Sequence, residues 1–223
     1  MMESMPLAIR LATLADLDEL AKLHCECLGP EDHVPVMLGK EYVRATYRWL
    51  VGNRKAYALV AVIEGEIAGL IAVCDGPFTR PMFFACLPEF CRSLARNPGL
   101  LFKKKLWRRF LRRPDVTRAI KGIASTPGFA QMTIGAVDAR YRGRGVFPAL
   151  VEATKTYSEK RGSRAIRAGI YKRNTPSRRV FIKGGWIETP ELETRDTVFY
   201  VAYLDPTFRT ELGVRAERTA AEK

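Results

Sequence analysis

No apolar run in this chain approaches the roughly 20 residues that a membrane-spanning helix requires. The longest, Ala58 to Ile63 and Gly69 to Val73, are strand-sized. Histidine is scarce, with only His24 and His33, and the five cysteines (Cys25, Cys27, Cys74, Cys86, Cys91) are odd in number and lack Cys-x-x-Cys spacing. Reduced thiols serving as small core residues are therefore expected, and no metal site. Met1 to Pro6 has no basic segment followed by an apolar stretch, so no signal peptide is visible and a cytoplasmic protein is expected. Neither the dinucleotide-binding fingerprint nor a P-loop lysine is present, and there is no internal repeat or low-complexity segment.

Acidic residues are nearly missing from Phe78 to Pro127, where Glu89 and Asp115 face twelve Lys and Arg. Ten of the thirteen net positive charges thus sit in one stretch. Pro88, Asn97-Pro98-Gly99 and Pro114 divide it into short helices, and in the central one Leu100, Leu101, Phe102, Leu106, Trp107, Phe110 and Leu111 interleave with cations. Such a helix packs its apolar stripe on the parent domain, or lies on an anionic membrane surface or on nucleic acid.

Elsewhere the pattern alternates between strand and helix. Leu7 to Leu11 reads as a strand, and Thr13 with Asp16 three residues on forms an acidic variant of the capping box. The helix that follows carries Leu17, Leu20, Ala21, His24 and Leu28 on one stripe, which makes His24 a packed, hydrogen-bonded core histidine or, alternatively, a substrate-facing one. Gly29-Pro30 ends it, Glu31 to Met37 reads as a loop holding a solvated His33, and a second helix spans about Leu38 to Gly52. Lys55 to Glu64 and Glu66 to Asp75 read as a hairpin about Glu64-Gly65.

After the basic stretch comes a strand, Ala130 to Val137, then Asp138-Ala139-Arg140-Tyr141-Arg142-Gly143-Arg144-Gly145-Val146, then a helix from Phe147 to Lys160. A glycine-bearing turn at a helix N-terminus gathers backbone N–H groups where the macrodipole favours negative charge. Its expected guest is a pyrophosphate. Ala165 to Tyr171 is strand-like, Asn174 to Gly184 helix-like with Gly184-Gly185 as its stop, and Trp186 to Glu188 pairs with a last strand, Asp196 to Leu204. The tail from Asp205 to Lys223 is polar and charged, and its last residues are expected to fray.

With both blocks in view the sequence resembles the GNAT superfamily of acyl-CoA-dependent N-acyltransferases. Tyr141-Arg142-Gly143-Arg144-Gly145-Val146 is similar to its pyrophosphate motif, Gln/Arg-x-x-Gly-x-Gly/Ala, with Arg142 and Gly145 on the first two fixed positions. A register starting at Arg140 fits the letters too. Asn174, Ser177, Val180-Phe181, Lys183, Gly185 and Trp186 are spaced like its Asn-x-x-Ala-x-x-Leu-Tyr-x-x-x-Gly-Phe stretch.

The resemblance implies an α/β (α+β) fold with a mixed, splayed central sheet flanked by helices. Residues 1–205 would form one domain, with a basic helical insertion at 78–127 and a tail at 206–223. It implies acetyl-CoA as co-substrate, no metal, and a coenzyme site formed by Val137, Arg142, Gly143, Arg144, Gly145, Val146, Phe147, Asn174, Ser177, Phe181 and Lys183. Asn174 would bond the pantetheine arm or the helix entry, and main-chain donors near Val137 would meet the acetyl carbonyl.

Phe147 stands at the motif's last small position, and Phe181 replaces the family's tyrosine general acid. Tyr171, Cys74 with Asp75, or water are left to carry the proton, with Tyr171 best placed, and the general base stays open. The expected activity is N-acetyl transfer to a primary amine in a ternary complex. The alternatives are a non-catalytic acyl-CoA-binding regulatory domain and a basic nucleic-acid or membrane-docking protein. An unidentified amine acceptor, an anionic partner or membrane surface at 100–113 that would make the protein membrane-peripheral, and a homodimer complete the expected partners.

Overall fold

The structure, a computed structural model, describes residues 6–30, 33–104, 106 and 126–211. Most of the apolar and basic stretch at 100–113 lies outside them. Seven strands form one sheet in the order β1-β2-β3-β4-β5-β7-β6: β1 (Leu7–Leu11), β2 (Ala56–Ile63), β3 (Glu66–Asp75), β4 (Phe129–Val137), β5 (Ala165–Tyr171), β6 (Ile187–Glu188) and β7 (Thr197–Tyr203). Every neighbouring pair is antiparallel except β4 with β5. The expected hairpin turns on Glu64 and Gly65, both at positive φ (52° and 83°), as a two-residue turn that follows the twist of its strands requires.

Helices cover both faces, so β3 is buried along nearly its whole length. On one face α1 (Leu17–Cys27) and α3 (Lys40–Gly52) pack on Leu70, Ala72, Cys74 and Ala136. On the other, α6 (Val146–Lys160) and α7 (Thr175–Lys183) pack on Ile71, Val73, Ala130, Ile166 and Ala168.

The entry to α1 is the expected capping box. Asp16 accepts from the Thr13 backbone N–H at 2.7 Å and from both ends of the Arg10 guanidinium at 2.7 and 2.8 Å. The Arg10 hydrogen bond, ahead of the Thr13 bonds, pulls the Asp16 carboxyl down to about 2. Asp16→Ala is expected to cost about 2 kcal/mol of stability, since it removes the cap and strands a guanidinium. Thermal unfolding above pH 5 measures this.

Several boundaries differ from the sequence reading. The segment before α3 is not all loop, because Val34–Met37 forms a short helix, α2, with Pro35 in its first turn, and α3 begins at Lys40 after Gly39 at φ 101°. The start of the basic insertion folds as α4 (Thr79–Ala85), α5 (Leu87–Arg96) and a 3₁₀ turn (Pro98–Phe102). It packs on the parent domain through Cys86, Phe90, Leu100 and Leu106 against Val34, Leu38 and Tyr42. Leu100 to Phe102, read as the head of a helix, is that 3₁₀ turn, ended where Lys103 turns extended.

The tail begins with a helical segment, residues 206–211, and its last residues, expected to fray, lie outside the described residues. Phe208 is buried against Phe129, Ala165 and Val201, and Arg164 ties Asp205 and Glu211 over it. One large apolar side chain in a polar segment was enough to dock it. No helix among the described residues is long and apolar enough to cross a membrane.

Candidate active site

The central strands part midway. β4 and β5 pair in parallel from Phe129–Ala165 to Met132–Ala168 and no further, while β4 stays with β3 to Val137 and β5 stays with β7 to Tyr171. A bulge marks the divergence: Ala72 pairs with Ile134 and Val73 with Met132, leaving Thr133 as the extra residue, its hydroxyl bonded to the Ala72 carbonyl at 3.1 Å. Such a bulge bends its strand, here just where β4 leaves β5. The result is a gap through the middle of the sheet, and Gly135 and Gly169, both on central strands, are exposed along it. A Cβ on Gly135 would lie 2.9 Å from the Phe147 ring, so the missing side chain is what lets that ring lie along β4.

The glycine turn stands at the end of β4, beside this gap. Gly143 (φ 76°) and Gly145 (φ 80°) both use the left-handed region, and a Cβ on either would meet no atom within 4 Å, so the space over the turn is open. Gly145 is the N-cap of α6, and the helix begins at Val146, one residue earlier than its apolar pattern suggests. The first-turn N–H groups have no intrahelical acceptors. Pro148 removes one of them, leaving those of Gly145, Val146 and Phe147 at the positive end of the helix.

The turn's three arginines, read from sequence as mobile cations, are each docked. Arg140 pairs with Glu66 (2.9 Å) and Asp138 (2.8 Å). Arg144 lies over the Tyr141 ring. Arg142 donates to the Val137 carbonyl at 3.1 Å, which also accepts from the Cys27 thiol at 3.3 Å. Burial pushes the Cys27 thiol up against the opposing pull of Arg142, so it stays protonated and can donate. The cradle is therefore a matter of backbone groups first.

Across the gap, the Asn174 side chain accepts from the Ser177 N–H at 3.2 Å, which settles it on the helix entry in this structure. Lys183, the last residue of α7, is exposed. Phe181 is fully buried, stacked on Tyr200 (5.7 Å, 17°) with its edge to Trp186 and Phe147. It is a core ring. The Tyr200 hydroxyl beside it is turned away, accepting from Arg178 at 3.1 Å.

Of the proton carriers named from sequence, Cys74 is wholly buried, its thiol pushed up to about 12 by burial, and Asp75 is paired with Arg161 at 2.9 Å. Neither is available to a ligand in the gap: the apolar core encloses one, and the other stands opposite Ala130, where β4 and β5 are still paired. Tyr171, the last residue of β5 and beyond its pairing with β4, is 42% exposed with the Arg173 guanidinium 5.1 Å over its ring.

Two arrangements went unread. His24 is core, as its stripe implies, but its Nδ1 lies 2.9 Å from the Tyr47 hydroxyl and its Nε2 3.0 Å from Nδ1 of His33, which is half-buried and not solvated. Arg167 on β5 is buried and bonds Gln131 on β4 at 2.6 Å. A lone arginine interrupting the apolar run Ala165 to Ile170 was the only signal of it. Among the described residues no cluster of His, Cys, Asp and Glu suits a metal ion.

A mixed sheet is parted between two parallel central strands, with a glycine-capped helix N-terminus beside the opening. The family model described as the acetyltransferase (GNAT) family matches residues 17–186, and the chain belongs to that family. No curated protein matches it by sequence. Solved structures share the fold. PaiA N-acetyltransferase from Thermoplasma acidophilum, in complex with coenzyme A, is 11% identical over 89% of this chain and 99% of its own, with a TM-score of 0.58. NAA60 from Arabidopsis thaliana, in complex with acetyl-CoA, is 15% identical over 89% and 98%, with a TM-score of 0.55. The ribosomal-protein-alanine N-acetyltransferase from Brucella melitensis is 16% identical over 88% and 99%, with a TM-score of 0.53.

Proposed function

We propose that this protein moves an acetyl group from acetyl-CoA to a primary amine by direct transfer in a ternary complex. The observation that carries this reading is the parting of β4 from β5 beside the glycine turn. The turn fits a pyrophosphate: two glycines at positive φ with open space above them, and unpaired first-turn donors at a helix N-terminus. Arg142, Gly143, Arg144, Gly145, Val146 and Phe147 hold that group, and Val137, Asn174, Ser177 and Lys183 flank the pantetheine arm; Phe181, expected from sequence to join them, is enclosed in the core and backs the site only through its neighbours. Acyl-CoA supplies an activated acyl thioester and a thiol leaving group. The chain's part is to position the amine, exclude water and carry one proton.

Acetyl-CoA at millimolar concentration is expected to raise the unfolding temperature. A ligand at 100 times its Kd adds about 2.7 kcal/mol to stability by mass action, and no shift at all overturns the reading. Tyr171, 42% exposed where β5 runs on beyond its pairing with β4, is our proposed proton carrier. Tyr171→Phe is expected to lower kcat about 100-fold with the acetyl-CoA Kd unchanged. An unaltered kcat assigns the proton to water.

The burial of Phe181 favours a second reading, acyl-CoA binding without catalysis. Acetyl transfer to any member of an amine panel excludes it.

A further inference from the structure

We propose that Arg167 is the anchor for a carboxylate of the amine acceptor, so that the preferred substrates are amino acids or acidic peptides. This rests on the acetyl-transfer reading above.

Arg167 is only 9% exposed, and its Nη1 is buried with no hydrogen-bond partner. Its Nη2 donates to Gln131 Oε1 at 2.6 Å, and its guanidinium carbon lies 5.2 Å from the centre of the Phe199 ring. Among the described residues no carboxylate is paired with it, and burial alone depresses its pKa. A guanidinium nonetheless stays charged in proteins. A buried cation with a vacant donor and no paired carboxylate is costly, and an anion brought in from outside would offset that cost.

The placement says which anion. Gln131 stands opposite Arg167 one position before Met132–Ala168, the last pair before the strands part. Arg167 is thus at the closed end of the gap. Along β5 it shares a face with Gly169 and Tyr171, whereas Ile166 and Ala168 point to the core under α6 and α7. The anchor therefore faces away from the helix whose N-terminus receives the pyrophosphate. Donor and acceptor would meet in the gap from opposite faces.

The neighbours fix the guanidinium. Gln131 gives its Nε2 to the Gly76 carbonyl at 3.3 Å, which keeps Oε1 for Arg167. Gly169 lets Phe199 lie beneath: a Cβ there would stand 2.9 Å from that ring. A guanidinium held in one plane, with an end group to spare, suits a planar carboxylate, to which arginine can present two N–H groups at once. The net charge of +13 favours acceptors that carry negative charge.

The test is acetyl transfer by the full chain to matched acceptors, α-amino acids and glutamyl peptides against their carboxamides, in the wild type, Arg167→Met and Arg167→Lys. The wild type is expected to favour carboxylates roughly 10- to 100-fold in kcat/KM, through KM. Arg167→Met should abolish the preference while acetyl-CoA stabilisation persists, and Arg167→Lys should restore part of it. Because a buried unpaired charge is removed, Arg167→Met should leave the unfolding temperature equal or higher.

A merely structural arginine gives the reverse, a lowered unfolding temperature with the preference intact, and that overturns the proposal. So does a wild type that acetylates carboxamides equally well. Failure of acetyl-CoA to bind is a different result, since it removes the transfer reading itself. Stabilisation of the wild type but not Arg167→Met by millimolar glutamate, and not by its diamide, would then still support the anchor, and its absence would end it.

Discussion

Gly145→Val is expected to abolish coenzyme binding, weakening the acetyl-CoA Kd by about 100-fold or more, at a cost in stability of about 2 kcal/mol. Gly145 is the N-cap of α6 with φ 80° and ψ 0°, a left-handed conformation in which a β-branched residue is an outlier. The surrounding space is open, so the added side chain clashes with no atom within 4 Å of its Cβ. The damage comes instead from the backbone: relaxing φ swings the N–H groups of Gly145, Val146 and Phe147 off a common point, and the isopropyl group fills the space over the turn. Isothermal titration with acetyl-CoA, beside thermal unfolding of the free protein, separates the two effects. A folded variant with wild-type affinity would show that the turn is not the anion site.

Acid is expected to unfold the protein through His24. That ring is wholly buried, and burial first, then the charge of nearby His33, pulls its pKa from 6.5 to about 3. The unfolded chain therefore binds this proton at a higher pH than the folded one. The stability involved is fully present above about pH 6.5 and drains as pH falls toward 3. At 1.36 kcal/mol per pKa unit, the ceiling on that loss is about 5 kcal/mol, comparable with the whole stability of a small domain.

Tyr47, itself fully buried with its pKa raised by desolvation, holds the ring's Nδ1. Asp16 loses its own stabilising contribution only lower down, from about pH 4 to 2. Urea unfolding at pH 7.5, 6, 5 and 4 should show the His24 slope, and His24→Gln should flatten it between pH 6 and 4. An unchanged slope in the variant would assign the acid sensitivity to other groups.

The legible parts of this chain are those in which cause and effect lie close together. The hairpin turn at Glu64-Gly65 needs two adjacent residues at positive φ, the cap at Thr13 and Asp16 spans three positions, and the strand, glycine turn and helix from Phe129 to Lys160 are consecutive. The helical stripe that buries His24 was equally visible, because a 3.6-residue period is a local property. His33, nine residues on, and Tyr47, twenty-three, were not, because a ring contact across two helices leaves no spacing to read.

Phe181 was read as an acid gone missing. In the fold it has its own reason, a buried ring between Tyr200, Trp186 and Phe147. The polar tail hid Phe208 for a related reason, since its partners Phe129, Ala165 and Val201 come from three different strands.

By itself, then, the sequence determined the order of the strands and of the longer helices, the glycine turn, and through two short blocks the family to which the chain belongs. These follow from periodicity and turn chemistry acting over a few residues. Only the tertiary structure decided where β4 leaves β5, that the turn's arginines dock on their own domain, and that Arg167 stands at the closed end of the gap with no paired carboxylate among the described residues. Burial and counter-charge are properties of a place. The residues that make the place around Arg167, Gln131 and Phe199, are each more than thirty positions from it along the chain.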